Sequence, residues 1–181
     1  MALAHQIEAA TGIAKVSVAP VGKISASTTW TELFYTLKDS LTITEAAQTK
    51  NEIKVDQTPT AIAVAYEPGD FTVEWDIPDV AEEILKYFYN TQETAPYAPE
   101  GKKAVGVIMD NKITKTMIKF DFASGQSFII TNGEIVPNFD GSSLSTNTMN
   151  IHCTATVKAP LGGANGETAN VIWYLESSAA L

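Results

Sequence analysis

The sequence predicts a mainly β fold: two packed antiparallel sheets, a sandwich or partial barrel, with one α-helix flanking them near residues 79–90. Three observations carry that expectation. Threonine, valine, isoleucine and aromatic residues, which suit a pleated and half-buried surface, recur along the chain. Most apolar runs alternate with polar residues at a period of two, the signature of a strand with one buried face. One segment alone repeats its apolar positions at the helical period. The 181 residues, 45% hydrophobic, suffice for one core. Residues 1–181 are therefore expected to form a single sandwich domain, with 1–12 as an N-terminal arm and 176–181 as a C-terminal tail.

Taken in order, residues 13–19 alternate, with Val16 and Val18 on one face and Lys15 and Ser17 on the other. A linker with Gly22, Ser25 and Ser27 follows, then an aromatic stretch over 29–35 that suits a short helix or a strand. Residues 41–45 read as a strand, 46–50 as a polar break, and 52–56 and 60–66 as two more strands. The Pro68-Gly69 pair marks a turn at 67–70. The clearest strand spans 71–77, with Phe71, Val73, Trp75 and Ile77 on one face and Thr72, Glu74 and Asp76 on the other. Asp79 as N-cap with Glu82 three residues on forms a capping box, and Val80, Ile84, Tyr87 and Phe88 make one apolar stripe ending near Asn90. A loop is expected over 91–101. Strands at 103–109 and 113–122 flank a tight connection at 110–112. The strand region 127–136 contains Asn132-Gly133, a type I′ hairpin signal because both residues tolerate positive φ. Residues 149–157 alternate with Ile151, Cys153, Ala155 and Val157 inward, 160–168 form a glycine-rich loop, and 171–175 a last strand.

Charge narrows the function. The net charge is −9, and all 12 basic residues are lysines. Arginine is the usual grip on phosphates and guanine edges, so an acidic chain without it is not built to hold nucleic acid tightly. An acidic surface repels DNA, which suits a surface that DNA must pass without sticking. Residues 1–11 lack the basic start and apolar run of a signal peptide, and no stretch has the length to span a bilayer, so synthesis in a cytoplasm is expected.

The search for chemistry finds no catalytic set, no metal set and no cofactor motif. Cys153 is the single cysteine and reads as a buried, inert thiol, since adjacent His152 points to the opposite face. His5 and His152 stand in no HxH or HExxH spacing. The run Leu161-Gly162-Gly163-Ala164-Asn165-Gly166 lacks the Lys-Ser/Thr of a phosphate loop. Asp70, Glu74 and Asp76 form an acidic face, read as solvated rather than as a cation site.

The order of elements resembles the phage major tail-tube protein family. The resemblance rests on the early strand, the Thr29-Trp30 segment with Leu33 and Phe34, and a paired run of 41–45 with 52–56 joined by Gln48-Thr49-Lys50-Asn51. It continues through the strand, Pro-Gly turn and strand at 60–77, the single helix, further hairpins and a late strand. It is a likeness of architecture over most of the chain and implies a virion protein with no enzymatic activity, related to type VI secretion tube proteins. Its copies close into six-fold rings, and the rings stack into a tube through which DNA passes during ejection. Its partners are then itself, other tail proteins such as the terminator and baseplate, and DNA in transient passage, with no membrane. On that reading Asp70, Glu74 and Asp76 are candidates for the channel face. Gln48, Thr49, Lys50 and Asn51, the arm at 2–12, and Trp173 and Tyr174 are candidates for contacts between subunits. The alternatives are a carbohydrate-binding or adhesion sandwich using Trp30, Tyr35 and Tyr97, an enzyme with a dispersed site, or another virion part such as a terminator.

Overall fold

The computed structural model describes residues 12–33, 36–53, 63–93, 98–109, 112–140 and 149–175. Twelve strands and one helix lie among them: β1 (Ile13–Ala19), β2 (Thr31–Leu33), β3 (Thr42–Glu45), β4 (Thr49–Ile53), β5 (Ala63–Glu67), β6 (Phe71–Ile77), α1 (Glu82–Phe88), β7 (Asn90–Glu93), β8 (Val105–Ile108), β9 (Thr114–Phe122), β10 (Ser127–Asp140), β11 (Asn150–Val157) and β12 (Val171–Tyr174). The main sheet has eight strands in the order β2-β1-β9-β10-β11-β6-β3, with β12 beside β10. Every pairing is antiparallel. Two small ribbons, β4-β5 and β7-β8, complete the set.

The sheet is mainly β and curls on itself. Trp75 on β6 meets Phe120 on β9 edge to face, with ring centroids 5.5 Å apart. Two strands separate β6 from β9, so a flat sheet would hold them about 14 Å apart. The residues that predict strands therefore also close the sandwich: Val16, Val18, Leu33, Val73, Trp75, Ile77, Ile118, Phe120, Phe128, Ile135, Ile151, Cys153 and Ala155 form one buried cluster. Helix α1 adds Ile84 and Phe88, both fully buried. Each such side chain contributes roughly 1.5–3 kcal/mol when removed from water.

The central strand, β10, is the pivot. Along its first half Phe128 and Ile130 face the core; along its second half Ile135 does. These positions differ in parity, so a plain strand would put one set outside. The register against β9 shifts between Ile130↔Ile118 and Gly133↔Thr116, a one-residue bulge on β10. That extra residue returns the apolar set of the second half to the core. Pro137 interrupts no ladder on the β9 side, because β9 pairs no further than Ile135↔Thr114.

Several expectations change. Asn132-Gly133 is not a hairpin: β10 runs straight through it, and neither residue has positive φ. Turn residues also suit a bulge, and partners on both sides of β10 hold it extended. The β9-β10 hairpin lies instead at 123–126, where Gly125 has φ 95°. The connection at 110–112 does not join paired strands, since β8 pairs with β7 and β9 with β1 and β10. Part of the expected 91–101 loop is β7. The helix is shorter than 79–90: it spans Glu82–Phe88, and Tyr89 is already extended. Asp79 is not its N-cap. Ala81 holds that place, and the Asp79 carboxylate accepts the Ala81 N–H at 2.9 Å, a local turn that competes with capping. Finally, β3 pairs with β6 and β4 with β5, so the described residues 52 and 53 do not pair with 41–45, and 54–56 of that expected run lie outside the described residues.

Candidate functional site

Three surfaces bear on the sequence candidates. The first is the outer face of β3, β6, β11 and the second half of β10. The pairings align Thr42 with Glu74, Thr44 with Thr72, Glu74 with Thr154, Asp76 with His152 and His152 with Asn138. Alternation puts these side chains opposite Val73, Trp75, Ile77, Cys153 and Ala155, which are all buried. The result is an outward face of threonines and carboxylates. Glu74 and Asp76 sit on it half-buried, as β6 alternation predicts. Asp70 precedes β6 in the turn, where its carbonyl accepts the Ala46 N–H at 2.8 Å.

His152 has the partner that its sequence spacing did not reveal. Its Nδ1 lies 2.7 Å from Asp76 Oδ1 across the β6-β11 ladder. Only the register, a property of tertiary pairing, brings residues 76 apart in sequence together. The Asp76 backbone is fixed as well: its carbonyl accepts the Leu37 N–H and its N–H donates to Ser40 Oγ. At the edge of this face Glu134 Oε1 and Oε2 meet Lys115 and Lys158 at 3.2 and 3.3 Å. Hydrogen bonds from these two lysines hold the Glu134 carboxyl below the usual carboxylate range. Cys153, on the other side of β11, is buried as expected, and burial pushes its thiol well up, away from the reactive thiolate. Burial likewise pushes Tyr89 up to about 12 where it stacks on Phe139 at 4.9 Å. Among the described residues no three of His, Cys, Asp and Glu gather as a metal set.

The second surface is the β4-β5 ribbon. Thr49, Lys50 and Asn51 lie in strand β4 rather than in a loop, and Gln48 just before it. Every residue of both strands is exposed. Tyr66 is 63% exposed and Ile53 55%, so the ribbon carries apolar side chains that the described body does not cover. Lys50 bridges Glu52 at 2.6 Å on the face shared with Val64 and Tyr66.

The third is the end of the sheet at β12. Trp173 is a surface residue that leans on the core. Its ring lies 4.7 Å from Phe128 and stacks on Phe122 at 6.2 Å, yet it is 46% exposed. Tyr174 beside it is also exposed. Of the aromatics suited to sugar stacking, Trp30 is half-buried under Lys119 Nζ at 6.0 Å. Tyr35 and Tyr97 lie outside the described residues, as do the arm at 1–11 and the tail at 176–181. No helix among the described residues is long and apolar enough to cross a membrane. No protein-family model matches the chain, and no curated protein matches its sequence.

Proposed function

We propose that this chain is a structural subunit of a phage-type tail tube, acting by self-assembly rather than by catalysis. Copies close into rings, and rings stack into a channel for DNA within a virion. The observation that carries this reading is the β4-β5 ribbon. A two-stranded hairpin is marginal alone in water, and this one exposes Ile53, Val64 and Tyr66 without cover among the described residues. A neighbouring subunit supplies that cover, which assigns Thr49, Lys50 and Asn51 to ring stacking. The threonine-carboxylate face supports a channel role: it carries Glu74 and Asp76, and no arginine interrupts it. Such a face sheds DNA rather than gripping it. Trp173 and Tyr174 support a further subunit contact, since aromatics are enriched in buried interfaces. Terminator and baseplate proteins would then cap the ends of the tube.

Electron microscopy and sedimentation velocity of the purified chain across a concentration series test this. Rings with a central hole, or stacked tubes, are the expected outcome. A particle that stays monomeric up to its solubility limit overturns the proposal.

A further inference from the structure

We infer that the open side of β12 is a lateral docking slot for the β8 edge of a second copy; this rests on the self-assembly reading. β11 and β12 occupy one line beside β10. β11 pairs with Gly133–Asp140 and β12 with Ser127–Ile130. Between them the Lys158 N–H donates to the Asn132 carbonyl, and the Thr131 N–H to the Asn170 carbonyl. The next strand over, β6, follows β11 only as far as Thr72↔Thr156. The chain then departs at Pro68-Gly69. The place beside β12 where β6 would continue thus holds no strand among the described residues, and the outer backbone groups of β12 face it. An unpaired edge of this kind is a template for strand addition.

The slot has a chemistry. A cavity of roughly 430 Å³ opens at its head, with Phe71, Val157 and Val171 as apolar lining and Glu45 and Asp70 at the rim. Neither carboxylate has an ion-pair partner among the described residues. Farther along lie the exposed Trp173 and Tyr174. An occupant must be extended, cationic at its leading end and apolar behind. β8 has that order. It pairs with β7 alone. Exposed Lys102, with no ion pair among the described residues, precedes it. Ile108 and Met109 at its end are 49% and 72% exposed. Laid parallel to β12, β8 directs Lys102 to the carboxylate rim and sets Ile108 and Met109 along Trp173 and Tyr174. Each copy then offers one slot and one strand, a head-to-tail contact of the class that builds rings when its rotation closes.

Charge exchange tests the pairing. The double variant Glu45→Lys/Asp70→Lys and the single variant Lys102→Glu are each expected to raise the assembly threshold about tenfold in sedimentation velocity. Combining all three restores the threshold to within about threefold of the parent. All three positions are exposed, so circular dichroism melts serve to confirm an intact fold. If the parent assembles and the variants match it, or if the triple variant fails to recover, the β12-β8 pairing is overturned while self-assembly stands. A parent that never assembles overturns both.

Discussion

At Gly69 the chain passes so close to the end of β3 that a β-carbon built there would fall on the carbonyl group of Ala46. The contact is with backbone, which cannot rotate aside as a side-chain tip can. It is also where the Ala46 N–H reaches the Asp70 carbonyl, the last rung joining β3 to β6. Gly69→Ala is therefore expected to cost about 3 kcal/mol through overpacking and loss of that rung. Urea denaturation of variant and parent measures it, and a cost below about 1 kcal/mol would show that the junction is soft. The Pro-Gly pair announced a turn from sequence, but for a different reason: Gly69 is required by close approach, not by positive φ. Residue-scale legibility stops at such distances. Cys153 was readable as buried because strand parity decides it. The Asp76–His152 pair was not, because no local pattern encodes which strand lies next to β11.

Among the elements, β6 and β10 mark the two ends of what pattern can reveal. β6 keeps strict alternation with one face buried and one polar, and its bounds and faces follow from sequence. β10 breaks alternation at its bulge, and the Asn132-Gly133 pair there, whose tolerance of positive φ predicts a hairpin, serves the bulge instead. The first half of β10 is also buried on both faces, with Ile129 at 1% exposure and Ile130 at 0%. The bulge is what counts residues there. Deleting Asn132 would send Ile135, Pro137 and Phe139 to the outer face or force β10 to slip against β9. Loss of those buried side chains costs roughly 5 kcal/mol, comparable to the stability of a whole domain. Asn132→Ala keeps the count and forfeits only the bond from Asn132 Nδ2 to the Ala159 carbonyl, at 2.7 Å, worth about 1 kcal/mol. The deletion is expected to yield no cooperative unfolding transition while the alanine variant retains one. Equal stability of the two would mean that register is not held by the bulge.

At the scale of the molecule the fold separates a self-sufficient body from parts that lack cover. The core cluster draws on β1, β2, β6, α1, β9, β10 and β11 and does not involve β4 or β5. The class of fold was legible because alternation repeats in many strands, whereas the partner of the ribbon's first strand was not, because pairing is chosen by the whole sheet. The base of that ribbon is pinned by the Ala46 N–H to Asp70 carbonyl bond, 2.8 Å long. Its two ends are thus already adjacent, and a short linker closes the gap at little entropic cost. Replacing residues 48–67 with a Gly-Ser linker is therefore expected to leave thermal stability within about 1 kcal/mol of the parent, since the excised strands bury nothing against the described core. If the ribbon joins ring to ring, the same variant should still form single rings but no tubes in electron microscopy. Tubes of normal length would remove the ribbon from the assembly mechanism, and a collapse of the melt would assign it to the folding of the body instead.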